Sequence, residues 1–265
     1  MRTVFISLFV ALIAALPAAA DMAVSPLRHV LDSEQREVRF VVSNPTPRIL
    51  DGRASWVDLA ATPTGYENAA ASTRKELSAA PWFTLRPSHF RLEPGARVEI
   101  VVALRDGVKI PKGERRSHLL IETAATRTLM RKASDTGLQV DIDAGVSVPV
   151  VLRGTGKAGA DITETKLLRD SAGLLLLSTA ITPEGAHSTF GRLVAAFSPH
   201  NGGPQQVLAE RKNVAGYPDA DMRLFELPLG FFTLGAGQLT LRYEGAEEFE
   251  GRVFDERKFE IAPPK

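Results

Sequence analysis

Apolar residues alternate with other residues along an unusually long stretch near the middle of the chain. The sequence LQVDIDAGVSVPVVL spans residues 138–152 and has an apolar residue at every even position. This period of two is typical of a β-strand with one apolar face. At about 3.3 Å per residue such a strand would extend roughly 50 Å, two to three times the usual length. The chain is therefore predicted to contain a strand that one sandwich face cannot cover.

Pro149 lies within this stretch, although proline has no N–H to donate to a neighbouring strand. We therefore expect an edge strand, in which the proline nitrogen faces away from a neighbour or marks the end of pairing. Exposed apolar edges are usually protected by charge or by a covering element. Leu138, Val140 and Ile142 have no evident protection. Part of this apolar face can be buried in the core of the sandwich that contains the strand. The remainder must be covered by something outside that core.

The first 20 residues are typical of a secretory signal peptide. Arg2 precedes an apolar run at residues 4–16, and small residues follow at 18–20. The run is too short to span a bilayer, and no later segment has the 18 or more apolar residues that a transmembrane helix needs. We expect cleavage after Ala20, export to the periplasm and no membrane insertion.

Charge and composition exclude several classes of function. Without residues 1–20 the chain has 31 basic and 31 acidic residues, which gives no support to nucleic acid binding. Cysteine is absent, so disulfides and thiolate metal sites are impossible. The five histidines are scattered and none has the spacing of a zinc motif. No cofactor and no metal are expected.

Short alternating segments separated by turn residues make up most of the remaining sequence. EVRFVVSN and ARVEIVVAL are examples, with Asn44-Pro45 and Glu93-Pro94-Gly95 among the turns. This pattern predicts an all-β protein with two sandwich domains, residues 21–153 and 154–265, joined at the glycine-rich segment GTGKAGAD. Residues 66–80 are compatible with a short helix, but we expect a loop.

Enzyme motifs are weak throughout. Ser117 and His118 are neighbours on a predicted strand, so their side chains point to opposite faces and cannot act as a nucleophile and base pair. No G-x-S-x-G elbow is present. The carboxylate pairs Asp141/Asp143 and Asp219/Asp221 are interpreted as solvated residues of strands or loops. A non-enzymatic protein is predicted.

Five segments of the first half resemble, in order and spacing, the periplasmic pilus-assembly chaperones of the chaperone-usher pathway. They are VSPLRHVLD, FVVSNPTP followed by SWVD, PWFTLRPSHFRLEPGARVEIVV, IPKGERRSHLLIET, and LQVDIDAGVSVPVVLR. Residues 155–262 match the family's second, smaller sandwich less distinctly. The departures described below are typical of a divergent branch.

The resemblance implies two immunoglobulin-like domains set at an angle, and an edge strand that completes unfinished pilus (fimbrial) subunits by donor-strand complementation. An outer-membrane usher is the implied second partner. β-Strand addition combines backbone hydrogen bonds with side chains that fill pockets. Burial of three apolar side chains in a subunit gives about 5 to 9 kcal/mol before association costs. The implied subunit-binding residues are Leu138, Val140, Ile142, Val146 and Val148.

Family members hold the subunit's C-terminal carboxylate with two basic residues between the domains. Arg28 matches the first, and a guanidinium can grip a carboxylate with two parallel hydrogen bonds. The second falls on or near Pro149, so Arg115, Arg116 or Arg153 is a possible replacement. Arg116 also stands where the commonest members have an acidic residue that helps to hold the domains together.

The sequence thus predicts a periplasmic chaperone of fimbrium biogenesis that binds subunits and delivers them to an usher. The main alternative is an exported immunoglobulin-like binding or adhesion module that recognises a sugar or surface partner through its loops. That alternative predicts a shielded strand at residues 138–152.

Overall fold

The computed structural model describes residues 22–125 and 144–262, most of which lie in β-strands. The predicted signal peptide at residues 1–20 lies outside the described residues. Leu138, Val140 and Ile142 also lie outside them, so their assignment stays a prediction. Within the two described ranges, no helix is long and apolar enough to cross a membrane.

The first half of the chain forms one β-sandwich. Its sheets have the strand orders β1-β3-β9-β7 and β2-β11-β10-β4-β8, and a small hairpin, β5-β6, lies beside them. The strands are β1 (Ala23–Ser25), β2 (His29–Leu31), β3 (Glu37–Ser43), β4 (Leu50–Val57), β5 (Leu59–Ala61), β6 (Tyr66–Asn68), β7 (Phe83–Arg86), β8 (His89–Leu92), β9 (Arg97–Leu104), β10 (Glu114–Ala125) and β11 (Ala144–Arg153). Alternate residues of both sheets form its core, including Phe40, Ile100, Leu119, Val150 and Leu152.

Residues 66–80 do not form the loop that the sequence suggested. Strand β6 occupies their beginning, and helix α1 follows at Ala71–Leu77. The run contains good helix formers, and its surroundings hold the short helix in place: Arg115 of β10 donates to the carbonyl of Lys75. The loop prediction was wrong because this long-range contact adds to a moderate local propensity.

The second half forms another sandwich with its own core. Its sheets have the strand orders β12-β13-β16 and β15-β14-β17-β18. The strands are β12 (Ala158–Arg169), β13 (Leu175–Gly185), β14 (Thr189–Pro199), β15 (Gln206–Gly216), β16 (Arg223–Gly230), β17 (Gly237–Gly245) and β18 (Val253–Ile261). Leu177, Leu193, Phe225 and Leu241 are among its core residues. The prediction of an all-β protein with two sandwiches is confirmed.

The chain passes from the first sandwich to the second through residues 154–157, because β11 ends at Arg153 and β12 begins at Ala158. Gly154 is required in this link: a Cβ atom there would lie 1.8 Å from the carbonyl oxygen of Pro111. A small apolar cluster, which includes Ala61, Phe190 and Tyr217, joins the sandwiches beside it. The connection is therefore short and closely packed.

Candidate functional site

Strand β11 is paired along its whole length on one side and along three residues on the other. β10 pairs antiparallel with β11 from Ala144 to Arg153. On the other side, β2 pairs in parallel with residues 150–152. No described strand pairs with the outer side of residues 144–149. We call residues 144–149 the free edge.

Pro149 lies at the end of the free edge, opposite His118 of β10 and just before the residues that β2 covers. The expectation that this proline lies on an edge is confirmed. Its nitrogen cannot donate to β10, so it fits a position that faces outward. Backbone groups two residues apart in a strand face the same way. We infer that the N–H groups of Gly145 and Ser147 also face outward.

Two edge strands of the second sandwich, β12 and β16, each have a residue whose outer backbone groups are bonded by charged side chains. The backbone N–H of Ile162 in β12 donates to Asp255 Oδ2 at 2.8 Å, and its carbonyl accepts from Arg257 Nε at 3.2 Å. In β16 the carbonyl of Glu226 accepts from Arg211 at 3.1 Å. Side chains that occupy backbone groups in this way oppose pairing with another chain. No side chain within the described ranges bonds to the backbone of residues 145–149.

The predicted subunit-binding side chains divide into two groups. Val148 is 2% exposed and belongs to the core of the first sandwich, and Val146 is partly buried against that core. These two side chains are therefore engaged within the protein, although their strand is open along its outer backbone. The other three, Leu138, Val140 and Ile142, precede the described part of β11.

Arg28 lies immediately before β2 and is 3% exposed. Its Nη1 donates to Glu247 at 3.1 Å and to Glu248 at 3.0 Å, and its Nη2 donates to the other oxygen of Glu248 at 2.8 Å. The guanidinium carbon also lies 4.8 Å from the centre of the Phe190 ring. All three partners belong to the second sandwich. The predicted carboxylate anchor already holds two carboxylates of its own chain.

The electrostatics of this contact favour the charged forms. Burial lowers the pKa of Arg28, but the hydrogen bond and charge of Glu248 outweigh burial, so the net pKa is raised. Burial likewise raises the pKa of the Glu248 carboxyl, but the hydrogen bond and charge of Arg28 bring it below its usual value. Arg28 and Glu248 therefore form an ionised pair at neutral pH.

Arg153, the last residue of β11, binds the same carboxylate from another side. Its Nη1 donates to Glu248 Oε1 at 2.9 Å, and its Nη2 donates to Glu114 at 3.2 Å and to the carbonyl of Ser188 at 3.2 Å. Glu114 in turn accepts from the backbone N–H and the hydroxyl of Ser188, each at 2.9 Å. These contacts fix the end of β11 against the second sandwich.

Arg116 forms a second ionic link between the sandwiches. It is 1% exposed, and its two Nη atoms donate to the two oxygens of Asp219 at 3.0 and 2.9 Å. The Tyr217 ring lies 3.9 Å from its guanidinium carbon. Burial raises the pKa of Asp219, but the charge and hydrogen bond of Arg116 outweigh it and the net pKa is lowered. Asp219 lies in an exposed turn, as its interpretation as a solvated carboxylate predicted, and it also neutralises the buried Arg116.

Arg115 differs from the other three arginines because it has no ion pair with a described carboxylate. Its guanidinium carbon lies 5.0 Å from the centre of the Trp82 ring. Its side chain lines a cleft of about 370 Å³ between α1 and the turn that contains Asp219. The structure thus brings Arg28 and Arg153 together on one carboxylate, and it places Arg115 and Arg116 in a separate region.

Sequence reasoning missed Glu247 and Glu248, the two carboxylates that contact Arg28. They lie in a short 3₁₀ turn, Glu247–Phe249, that follows β17. The adjacent glutamates in GAEEFEG are the only local signal. Their partner Arg28 is more than 200 residues away in sequence, so no short-range pattern identifies the contact.

Ser117 and His118 point to opposite faces of β10, as their positions in the sequence predicted. The Ser117 hydroxyl donates to Asp58 at 2.6 Å. His118 packs edge-on against Tyr66, with 5.0 Å between ring centres, and neither of its ring nitrogens has a described partner. Burial, and then the charge of Arg116, lower the pKa of His118 to about 3. His118 is therefore neutral at neutral pH. It also points away from Ser117 and cannot act as its base.

Metal ligands are not clustered in the parts of the chain that the structure describes. No group of three or more histidine, aspartate or glutamate residues there could hold a metal ion. No protein-family model and no curated protein matches the sequence.

Solved structures do match the fold over most of its length. The YadV chaperone matches with 11% identity and a TM-score of 0.46, covering 91% of this chain and 100% of that one. The CsuC–CsuE chaperone–tip subunit complex of Acinetobacter baumannii Csu pili matches with 9% identity and a TM-score of 0.46, covering 93% and 100%. The SafA pilin–SafB chaperone complex of Salmonella enterica gives 13%, 0.44, 91% and 96%. All three are chaperone structures. These likenesses are distant, with identities of 13% or less and TM-scores below 0.5.

Proposed function

We propose that this protein is a periplasmic chaperone that binds pilus subunits by donor-strand complementation and delivers them to an outer-membrane usher. In this proposal residues 1–20 are a cleaved signal peptide. Residues 21–153 form the domain that carries the donor strand, and residues 154–265 form the second domain. The protein acts by binding and has no catalytic role.

The free edge of β11 is the observation that carries the proposal. Residues 144–149 have an outer backbone without a described partner, whereas charged side chains bond the backbone of Ile162 in β12 and of Glu226 in β16. An uncovered edge is a template for strand addition. Val146 and Val148 pack within the first sandwich and their backbone groups face β10, so the outward backbone groups of Gly145 and Ser147 would pair with the guest strand. Leu138, Val140 and Ile142 would supply the side chains that enter the subunit.

Arg28 supports the same function through its position. It lies directly before β2, at the point where the free edge ends. A guest strand on the free edge would therefore reach Arg28 with one of its ends. The guanidinium groups of Arg28 and Arg153 attract a carboxylate and repel a protonated amino group. We therefore propose that the carboxyl-terminal end of the guest strand lies beside them. Arg153 is the second basic contact, in preference to Arg115 and Arg116.

Coexpression with a fimbrial subunit tests the proposal. We expect a one-to-one complex on size-exclusion chromatography. Ile142→Asp should abolish it, because a charge would enter the apolar core of the subunit. Gln139→Asp adds the same charge at an odd position of the alternating stretch and should leave the complex intact. If Ile142→Asp keeps the complex, the donor-strand assignment is wrong, and partner recognition by loops becomes the better explanation.

A further inference from the structure

Glu248 accepts from two arginines the hydrogen bonds that an incoming carboxylate would accept. Both of its oxygens accept from Arg28, at 3.0 and 2.8 Å, and one also accepts from Arg153 at 2.9 Å. Two parallel bonds from one guanidinium and a third from another make a nearly complete set of donors for a carboxylate. The site that would hold the end of a guest strand is occupied by the protein itself.

A third carboxylate cannot simply be added to Arg28. Its Nη1 already donates to two glutamates and its Nη2 to one, and the residue is 3% exposed. Its Nε is buried and has no partner among the described residues, and the Phe190 ring covers the guanidinium at 4.8 Å. A guest carboxylate can bind Arg28 only when Glu248 moves away.

The glutamates are the movable side of this contact. The side chains of Glu247 and Glu248 are 46% and 29% exposed, whereas that of Arg28 is 2% exposed. Glu247 also has a φ of 55°, a left-handed conformation that is unfavourable for a residue with a Cβ atom. The turn that presents both carboxylates is therefore at the surface and conformationally strained, while the arginine is fixed.

We propose that Glu248 is a displaceable internal carboxylate, which occupies Arg28 and Arg153 in the free protein and is replaced by the C-terminal carboxylate of a bound guest strand. This inference rests on the proposed function, because it concerns the regulation of the same site. The exchange conserves charge: one carboxylate leaves two guanidinium groups as another arrives. Glu248 thereby keeps the buried Arg28 paired when no partner is present, and it weakens the binding of carboxylates in general.

Binding of a short peptide to the full-length protein tests the exchange. The probe is an acetylated six-residue peptide of alternating serine and valine, with either a free C-terminal carboxylate or a C-terminal amide. Glu248→Gln keeps the size of the side chain and removes its charge, so we expect it to bind the free-acid peptide at least ten-fold more tightly than the wild type. The amide should bind both proteins equally. Glu250→Gln in the same turn is the matched control, because Glu250 pairs with neither arginine.

Equal affinity of Glu248→Gln and the wild type for the free-acid peptide would overturn the inference, as would an equal gain for the amide. If Glu248→Gln does not fold, wild-type protein labelled with ¹³C at glutamate Cδ gives the answer. The free-acid peptide should then shift the Glu248 resonance and the amide should not, and an unmoved resonance at saturation refutes the exchange. Loss of the subunit complex in both Ile142→Asp and Gln139→Asp would count against the proposed function alone, because the peptide measurement does not depend on Ile142.

Discussion

Asp219 of the second sandwich neutralises Arg116 of the first, with 2.9 Å between Oδ2 and Nη2. The two sandwiches are thus linked by a buried cation of the first and a carboxylate of the second. Together with the contacts of Arg28 and Arg153, it fixes how they meet.

Asp219→Ala should destabilise the protein strongly. The change leaves Arg116, which is 1% exposed, without its carboxylate. Removal of one member of a buried pair typically costs 3–5 kcal/mol, and the partial exposure of Asp219 places the expected loss at about 3 kcal/mol. Urea unfolding measures it. The neighbouring Asp221→Ala should change the free energy of unfolding by about 0.5 kcal/mol or less, since Asp221 is exposed. Equal effects of the two changes would contradict the role of the Arg116–Asp219 pair.

His118 should make the protein sensitive to mild acid. Its pKa is about 3 in the folded protein, whereas an unfolded histidine has a pKa of about 6.5. Below pH 6.5 the unfolded chain binds a proton that the folded protein does not, so stability decreases as the pH falls toward 3. At pH 5.0 this loss is about 2 kcal/mol relative to pH 7.5.

His118→Phe should remove that loss, because phenylalanine keeps the ring contact with Tyr66 and neither histidine nitrogen has a described partner to lose. Urea unfolding at the two pH values tests it, with the exposed His89→Gln as control. A variant that is as sensitive to acid as the wild type would show that other groups cause the effect.

Two proline substitutions test the orientation of the free edge. Ser147 is two residues from Pro149, so its N–H should face outward and Ser147→Pro should cost less than about 1 kcal/mol. It would nevertheless remove a donor that a guest strand needs, and the subunit complex should weaken. Val148→Pro interrupts the ladder with β10 and should cost about 3 kcal/mol or more. The inferred orientation fails if Ser147→Pro is the more destabilising change.

Gly154→Ala should disturb the link between the sandwiches. The added Cβ atom would lie 1.8 Å from the backbone of Pro111, which cannot move as a flexible side chain does. A loss of about 2 kcal/mol or more is expected from this overlap. Gly145→Ala is the control, because no atom of the described residues lies within 4 Å of its Cβ position. Thermal unfolding of both variants measures the difference, and an unaffected Gly154→Ala would mean that the linker can relax.

The fold was largely predictable from the sequence because a period of two residues is a local property. Pro149 identified an edge for the same reason, since its missing N–H restricts one strand position. The interdomain contacts were not predictable. Arg28 and Glu248 are 220 residues apart, and neither has neighbours in sequence that indicate a partner. α1 was missed because its seven residues depend on a contact with β10.

β2, which pairs in parallel with residues 150–152, limits where a guest strand can lie along the free edge. Exposed edges allow a guest strand to slip by a residue, and each slip turns its side chains to the opposite face. Here β2 already fills the ladder beyond Pro149, so an added strand would have a fixed stop. A guest strand that abuts this stop would be aligned residue by residue, so β2 would set the register of the added strand.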